Sequence, residues 1–352
     1  MNHPVKNQYE RFPYPPIPWL ALPRFTRLDL ENAVSRRDRL EDYFSGSTEQ
    51  VNALILGSGT FEPAGVATEY PEISSILAID LSRENLSRLQ KRMRLARLFR
   101  KVPKFEVREC DFENEDPSGG RKFQWIRASN VLHHLRNPEV IFERIHNWLS
   151  DDGVVRFSVY PRSSRLGMRW LSKHFRQQNV DPAQGKPQFM KAIHQALNQL
   201  SSDDPRLQAW EDCIEKGHIS GIIDAFFHAH ENTVTLYDWV RLFDQAGFHW
   251  LGEGTNRDDQ TSRIVGSEPL TILDRARLLQ AMDDWQDLGS NPVFWIRKKT
   301  PEEKSNAIRW PELASVNESE NWKIEHNELR NRANFLAKQV PSLTVQKFFL
   351  SP

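Results

Sequence analysis

Apolar residues fall in two rhythms along this chain, and the two alternate. Short apolar runs bounded by glycine or by charge predict strands buried on both faces: Asn52–Leu56, Ile76–Ile79, Phe105–Val107, Trp125–Ala128 and, after the turn Ser150-Asp151-Asp152-Gly153, Val154–Val159. Between them apolar residues recur three and four positions apart, the spacing of one helix face. The clearest such stripe is Leu86, Leu89, Met93 and Ala96, with Ser82 placed to cap the helix and Glu84 in its first turn. Further helices are expected over Pro138–Leu149, Arg165–Arg176, Gln188–Leu200, Arg206–Lys216, Thr233–Ala246 and Leu273–Asp284. Two last strands are expected at Phe248–Gly252 and Pro292–Lys298. Strands alternating with helices predict an α/β protein with a doubly wound sheet.

The two ends depart from this rhythm. Residues 1–24 carry Pro4, Pro13, Pro15, Pro16, Pro18 and Pro23 among Tyr9, Phe12, Tyr14 and Trp19. That proline density predicts an extended arm without helix, serving as a strap over the sheet or as a lid over a ligand cleft. Asp29–Tyr43 then reads as a helix ended by Gly46-Ser47-Thr48. At the other end Trp322, Leu329, Ala333, Leu336 and Val340 mark one side of a helix, docked on the domain or used as a dimer contact. The expected division is an arm and helix over 1–48, a core over 49–161, a helical insertion over 162–231, the rest of the core over 232–299, and a tail over 300–352.

Charge narrows the partners. Lys plus Arg and Asp plus Glu each total 47 in 352 residues, so no long-range field draws the chain onto nucleic acid or an anionic membrane. The helix after Ser82 does carry a basic face, with Arg83, Arg88, Lys91, Arg92, Arg94, Arg97, Arg100 and Lys101. It is read as a solvated outer face, with an RNA or acidic-partner contact as the alternative. Cys110 and Cys213 are too few for a disulfide framework or a thiolate zinc site. Met1-Asn2-His3-Pro4 lacks an apolar signal core, and no run of about eighteen apolar residues is present, so a soluble, cytoplasmic protein is expected.

The chemistry concentrates in Val51–Asp80. A strand leads into Gly57-Ser58-Gly59, where a Cβ would block the approach of a ligand to the backbone. Pro63 fits the first turn of the following helix, and a second strand ends in Asp80, twenty-one residues after Gly59. This is a nucleotide-binding half-sheet, with the acid placed to accept both hydroxyls of a ribose. His133 and His134 come after the fourth strand, at the strand ends where such sheets bind ligands, and an imidazole there can take a proton from an acceptor.

With these motifs in order, the chain resembles the class I S-adenosylmethionine-dependent methyltransferases over about Val51 to Gly252. It looks like the branch with Gly-x-Gly-Thr-(Tyr/Phe)-Glu-Pro, matched by Gly57–Pro63, and an N-terminal Pro-Tyr-Pro, matched by Pro13-Tyr14-Pro15. The resemblance implies a Rossmann-like seven-stranded sheet whose last strand is antiparallel, with a helical insertion after the fifth strand and N- and C-terminal extensions. It implies S-adenosylmethionine as cofactor, held by Gly57, Ser58, Gly59, Asp80 and Leu81, with Asp111 and Phe112 facing the adenine and Asn130 near the reacting methyl. The acceptor is expected under the insertion, beside Tyr14, His228 and Glu231. Two departures stand out: Phe61 replaces the usual third glycine, and Ile55 replaces an acid often found in the first strand.

Rival readings are a dinucleotide oxidoreductase, disfavoured because the loop lacks the third glycine, and a non-catalytic binding or scaffold protein that keeps the fold. A metal at His228, His230 and Glu231 is not expected, because no cysteine or further clustered histidine completes a shell. The acceptor is expected to be a small molecule, with a protein side chain next. No Asn-Pro-Pro-Tyr stands after the fourth strand, which disfavours methylation of an exposed base or amide nitrogen. The oligomeric state is left open.

Overall fold

The computed structural model describes residues 3–22, 50–70, 72–252, 261–265, 268–288, 291–306, 308–316 and 321–350. The helix expected at Asp29–Tyr43, with its Gly46-Ser47-Thr48 end, lies outside them.

In chain order the elements are α1 (Pro4–Arg11), β1 (Val51–Leu56), α2 (Glu62–Glu69), β2 (Ile73–Asp80), α3 (Arg83–Arg97), β3 (Lys104–Glu109), β4 (Phe123–Ser129), α4 (Pro138–Trp148) and β5 (Leu149–Ser158). Then come α5 (Leu166–Gln177), α6 (Lys186–Leu197), α7 (Pro205–Asp212), α8 (Ile219–Phe226), α9 (Leu236–Gln245), β6 (Phe248–Gly252), α10 (Ser262–Val265) and α11 (Ile272–Asp284). The chain closes with β7 (Val293–Lys298), α12 (Pro301–Ser305), α13 (Trp322–Gln339) and α14 (Leu343–Leu350).

The seven strands form one sheet in the order β3-β2-β1-β4-β5-β7-β6. β1 to β5 pair parallel, while β7 runs antiparallel to both β5 and β6, as expected. β1 shows why this sheet is doubly wound. Leu54 and Leu56 pack into one apolar layer, with Phe142 and Phe157, whereas Ala53 and Ile55 pack into the opposite one, with Ala64, Leu89 and Met93. Strand order reverses between β1 and β4, which opens a crevice at their carboxyl ends.

The segment after β5 has a core of its own: Leu171, Phe175, Phe189, Ile193, Trp210 and Phe226 bury together between α5 and α8. Its entry is fixed by buried polar contacts. Asp283 accepts from the Ser163 and Ser164 N–H groups at 3.1 and 2.7 Å, and Asp284 from the Ser163 hydroxyl at 2.7 Å. Arg332 of α13 completes this cluster, meeting the two Asp284 oxygens at 2.7 and 2.8 Å. The tail helix therefore docks on the domain, burying Leu329, Ala333 and Leu336.

Several local expectations need correction. The proline-rich arm begins with a helix, because Pro4 occupies the first turn, where no N–H is needed, and His3 caps it by accepting from Lys6 N–H at 3.3 Å. Arg92 does not sit on a solvated face; it is fully buried. The helix expected from Thr233 starts after Thr235, whose side chain accepts from Asp238 N–H. In the insertion, α6 and α7 end before Leu200 and Lys216, and α8 forms a fourth helix. Ser150–Gly153 is not a turn ahead of the fifth strand but a bulged part of it, where pairing jumps from Phe123–Leu149 to Trp125–Val154. Among the described residues, no helix is long and apolar enough to cross a membrane.

Candidate functional site

A cavity of about 350 Å³ opens at the carboxyl ends of β1, β2 and β4. Its floor is the turn after β1. Gly57 and Gly59 take φ of +62° and +57°, a region that side chains rarely adopt. A Cβ on Gly57 would lie 2.5 Å from Val131, and one on Gly59 would lie 2.9 Å from the Tyr14 carbonyl oxygen. The turn is thus pressed between the loop after β4 and the N-terminal arm. Ser58 lines the cavity, and its buried hydroxyl has no hydrogen-bond partner among the described residues.

Asp80 stands at the end of β2 and also lines the cavity. Its Oδ2 accepts from Gly59 N–H and its Oδ1 from Ser82 N–H, both at 2.8 Å. Burial pushes its carboxyl up to about 6, against the pull of those two N–H groups. Leu81, Asp111, Phe112 and Asn130 line the same space. Asp111 accepts from Glu113 N–H at 3.2 Å and from the Asn114 amide at 2.8 Å. Asn130 holds a left-handed φ of +51°, with its side-chain oxygen accepting from the Ser158 hydroxyl at 2.9 Å. Every residue expected to contact the cofactor thus lines this one cavity.

The arm forms the roof. Tyr14 accepts Thr60 N–H at 3.0 Å through its carbonyl, and the Pro15 carbonyl takes the Thr60 hydroxyl at 2.7 Å. Arg92 anchors the next stretch of the arm, its guanidinium donating to the carbonyls of Ala21, Ile17 and Pro18 at 2.9, 2.9 and 2.8 Å. Its charge also sits 4.9 Å above the Phe61 ring, and burial lowers its pKa to about 10. Phe61 is therefore the lower half of a clamp on the arm. Glu62 next to it receives Arg127 and Ser129 from β4.

At the far end of the cavity stand Tyr9, Tyr14, Tyr160, His134 and Asp224. The Tyr9 hydroxyl donates to Asp224 Oδ1 at 2.7 Å and lies 3.0 Å from His228 Nε2. Tyr160 donates to Asp224 Oδ2 at 3.4 Å, and Tyr14 donates to Glu215. Burial raises the Asp224 carboxyl to about 7, the hydrogen bond from Tyr9 opposing it, and burial raises all three phenols.

The two histidines after β4 part company here. His133 Nδ1 accepts Tyr160 N–H at 3.1 Å, which places its proton on Nε2, a buried atom without a partner among the described residues. Its ring stacks on Tyr160 at 3.8 Å, so it supports that wall from behind. His134 lines the cavity, with Nδ1 donating to the His230 carbonyl at 2.9 Å and the Nε2 lone pair left over. Burial holds both imidazoles well below their usual pKa, hence neutral. His228 stacks on His134 at 3.5 Å and likewise meets the His230 carbonyl through Nδ1, at 2.6 Å.

Ring nitrogens of His134 and His228 and an Asp224 oxygen lie within 4.8 Å of one another. The two rings stack 15° from parallel, and the Tyr9 hydroxyl already meets both His228 Nε2 and Asp224 Oδ1. The structure thus brings a further histidine, His134, beside His228, a clustering that sequence reasoning does not expect.

The three residues expected at the acceptor therefore separate. Tyr14 lines the cavity, His228 lies one hydrogen bond behind it, and Glu231 lines a second cavity on the other side. Sequence reasoning gives no site role to Tyr9, Tyr160 or Asp224, which meet from segments 64 to 215 positions apart. An aspartate ahead of the His228 segment is the one hint.

A family model described as a methyltransferase domain matches residues 57–251. An uncharacterized protein of Synechococcus sp. is 25% identical over 253 residues, covering 66% of this chain and 54% of that protein. The fold is similar to that of PKMT2 from Rickettsia typhi, with a TM-score of 0.55 at 14% identity over 81% of this chain and 54% of that one. A structure of PKMT2 in complex with AdoHcy gives a TM-score of 0.53 at 16% identity, over 82% of this chain and 55% of that one. The chain thus spans about half the length of each of these proteins.

Proposed function

Because the chain belongs to the methyltransferase-domain family, we propose that it is an enzyme that transfers a methyl group from S-adenosylmethionine to a small-molecule acceptor entering beside Tyr9, Tyr14, Tyr160 and Asp224. The observation that carries this reading is the cavity wall itself. Gly57 and Gly59, at left-handed φ and pressed against Val131 and Tyr14, hold the turn in the cavity wall, Ser58 offers a buried hydroxyl with no partner among the described residues, and Asp80 presents its carboxylate on the same wall.

These residues fit the cofactor. Asp80 accepts from Gly59, Ser82 and, at 3.3 Å, the Asn85 amide, which leaves a lone pair on Oδ2 for a ribose hydroxyl, while Asp111 and Phe112 offer an acid and an aromatic face for the base. S-adenosylmethionine supplies a methyl group already activated by its sulfonium. The protein's task is then orientation, exclusion of water and care of one proton. The arm covers the cavity and supplies two of the three tyrosines. Asp224, at about 7, is partly ionised at neutral pH and can take a proton from an acceptor O–H or N–H, with neutral His134 beside it as a further base. His133 cannot serve, since its acceptor nitrogen is spent on Tyr160.

Calorimetric titration tests the reading. Heat is expected with S-adenosylmethionine and S-adenosylhomocysteine and none with NAD; the reverse pattern would overturn it. Mass spectrometry for retained nucleotide, then a methylation screen on cell extract, identifies the acceptor.

A further inference from the structure

Behind the histidine pair lies a second cavity, of about 410 Å³, whose lining is unlike the rest of the chain. Five cations face it: Arg162, Arg165, Arg169, Lys173 and Arg176. Four of them keep the spacing of one face of α5, while Leu171 and Phe175 on the other face bury in the core of the insertion. Against them stand two carboxylates, Glu231 and Glu325, and Glu325 is taken by Arg169 at 2.9 Å. A chain of zero formal net charge has thus gathered an excess of positive charge in one concave space. Such a space concentrates anions.

Arg165 gives this charge a direction. Its guanidinium lies over the Tyr160 ring, 3.7 Å from the centroid. Its Nε is buried with no hydrogen-bond partner, and no acceptor for the rest of the fork is found among the described residues. A planar fork of N–H donors without an acceptor is matched by the oxygens of a carboxylate or a phosphate. The position is telling as well. Tyr160 has Arg165 on its ring and also lines the cofactor cavity, and His228 lines the cationic cavity while reaching Tyr9 in the other. One layer of side chains separates the two spaces.

We infer that the cationic cavity is an oxyanion subsite, centred on Arg165, that anchors the phosphate or carboxylate end of the methyl acceptor. The assignment of the anion to the acceptor rests on the methyltransferase reading above; the anion site itself does not.

Thermal unfolding of the full chain tests it, in phosphate, in acetate and in chloride at matched ionic strength. Ligand binding to the folded state raises the midpoint. Phosphate or acetate is expected to raise it over chloride in a saturable way, and whichever is effective separates a phosphorylated acceptor from a carboxylated one. Arg165→Gln should weaken that dependence at least tenfold while keeping S-adenosylhomocysteine stabilisation within about threefold. If Arg165→Gln does not fold, Lys173→Gln is used, with a weakening of at least threefold expected. No stabilisation by either anion, or equal stabilisation of the variant, overturns the site. Stabilisation by phosphate without any by S-adenosylhomocysteine would keep the anion site and remove the methyltransferase reading. Methyl-accepting material from extract should be retained on an anion exchanger; acceptors found only in the flow-through would overturn the subsite's role.

Discussion

The Tyr9 hydroxyl lies 2.7 Å from Asp224 Oδ1, joining the first helix of the chain to the last helix of the insertion across 215 residues. Neither segment belongs to the sheet, yet together they close the cavity that the sheet opens. The contact also sets the charge at this end: a buried carboxyl with only phenols for donors is held up at about 7. The chemistry of the site therefore depends on two appendages meeting over the strand ends.

Asp224→Asn should change the pH dependence of stability. The folded carboxyl titrates at about 7 against 3.8 unfolded, so between those values the native state binds a proton that the unfolded state has released. Its contribution is complete below pH about 4 and lost as pH rises towards 7. The variant should thus gain relative to the parent over that window, by at most about 4 kcal/mol at about 1.4 kcal/mol per pH unit. Denaturant titrations at pH 4.5 and 7.5 check it; a constant difference between the two proteins would show that Asp224 does not titrate there.

Asp80→Ala should weaken S-adenosylhomocysteine binding about tenfold to a hundredfold, since hydrogen bonds to a charged group contribute roughly 1.5–3 kcal/mol. The carboxylate lies at the open end of β2, so the sheet should survive. Calorimetry on the folded variant decides the matter, and unchanged affinity would move the ribose site elsewhere.

Arg92→Met removes the donor to three carbonyls of the arm. The Pro18 carbonyl keeps Ala21 N–H at 2.8 Å, whereas the Ile17 and Ala21 carbonyls lose their side-chain donor. A carbonyl left unsatisfied away from water costs about 1–3 kcal/mol, so the arm should lift away. Faster proteolytic cleavage within residues 12–22 and weaker nucleotide binding are expected together. Faster cleavage with unaltered binding would make the arm a strap with no part in the cofactor site.

His228→Ala should depress turnover while cofactor affinity stays within about threefold, a change under about 1 kcal/mol. His228 touches Tyr9 and His134 but does not itself line the cavity at the strand ends. Parallel cofactor titration and methyl transfer to the acceptor found in extract give the readout. Loss of cofactor binding would place the residue in the cofactor site instead.

The sheet and the glycine-turn wall of the cavity at its strand ends are legible in the bare sequence, because both rest on local patterns. Alternating apolar runs and stripes mark seven strands, and a glycine turn with an acid at the end of the next strand needs only neighbouring residues to declare itself. Gly57, Gly59 and Asp80 can be read for that reason, and Asp111 only through the family resemblance. The far end of the cavity and its roof come from packing alone. Pro4 reads as a helix breaker until its place in a first turn is seen. Arg92 reads as one more cation on a basic face until the Ile17, Pro18 and Ala21 carbonyls are found around it. His133 and His134 are adjacent in sequence and alike in chemistry, and only packing sends one behind Tyr160 and the other into the cavity. Tyr9, Tyr160 and Asp224 carry no common motif: their meeting is fixed by how the arm and the insertion fold back over the strand ends. Contacts of such sequence separation leave no periodicity to read, and burial, which sets Asp224 near 7, exists only once the chain is packed.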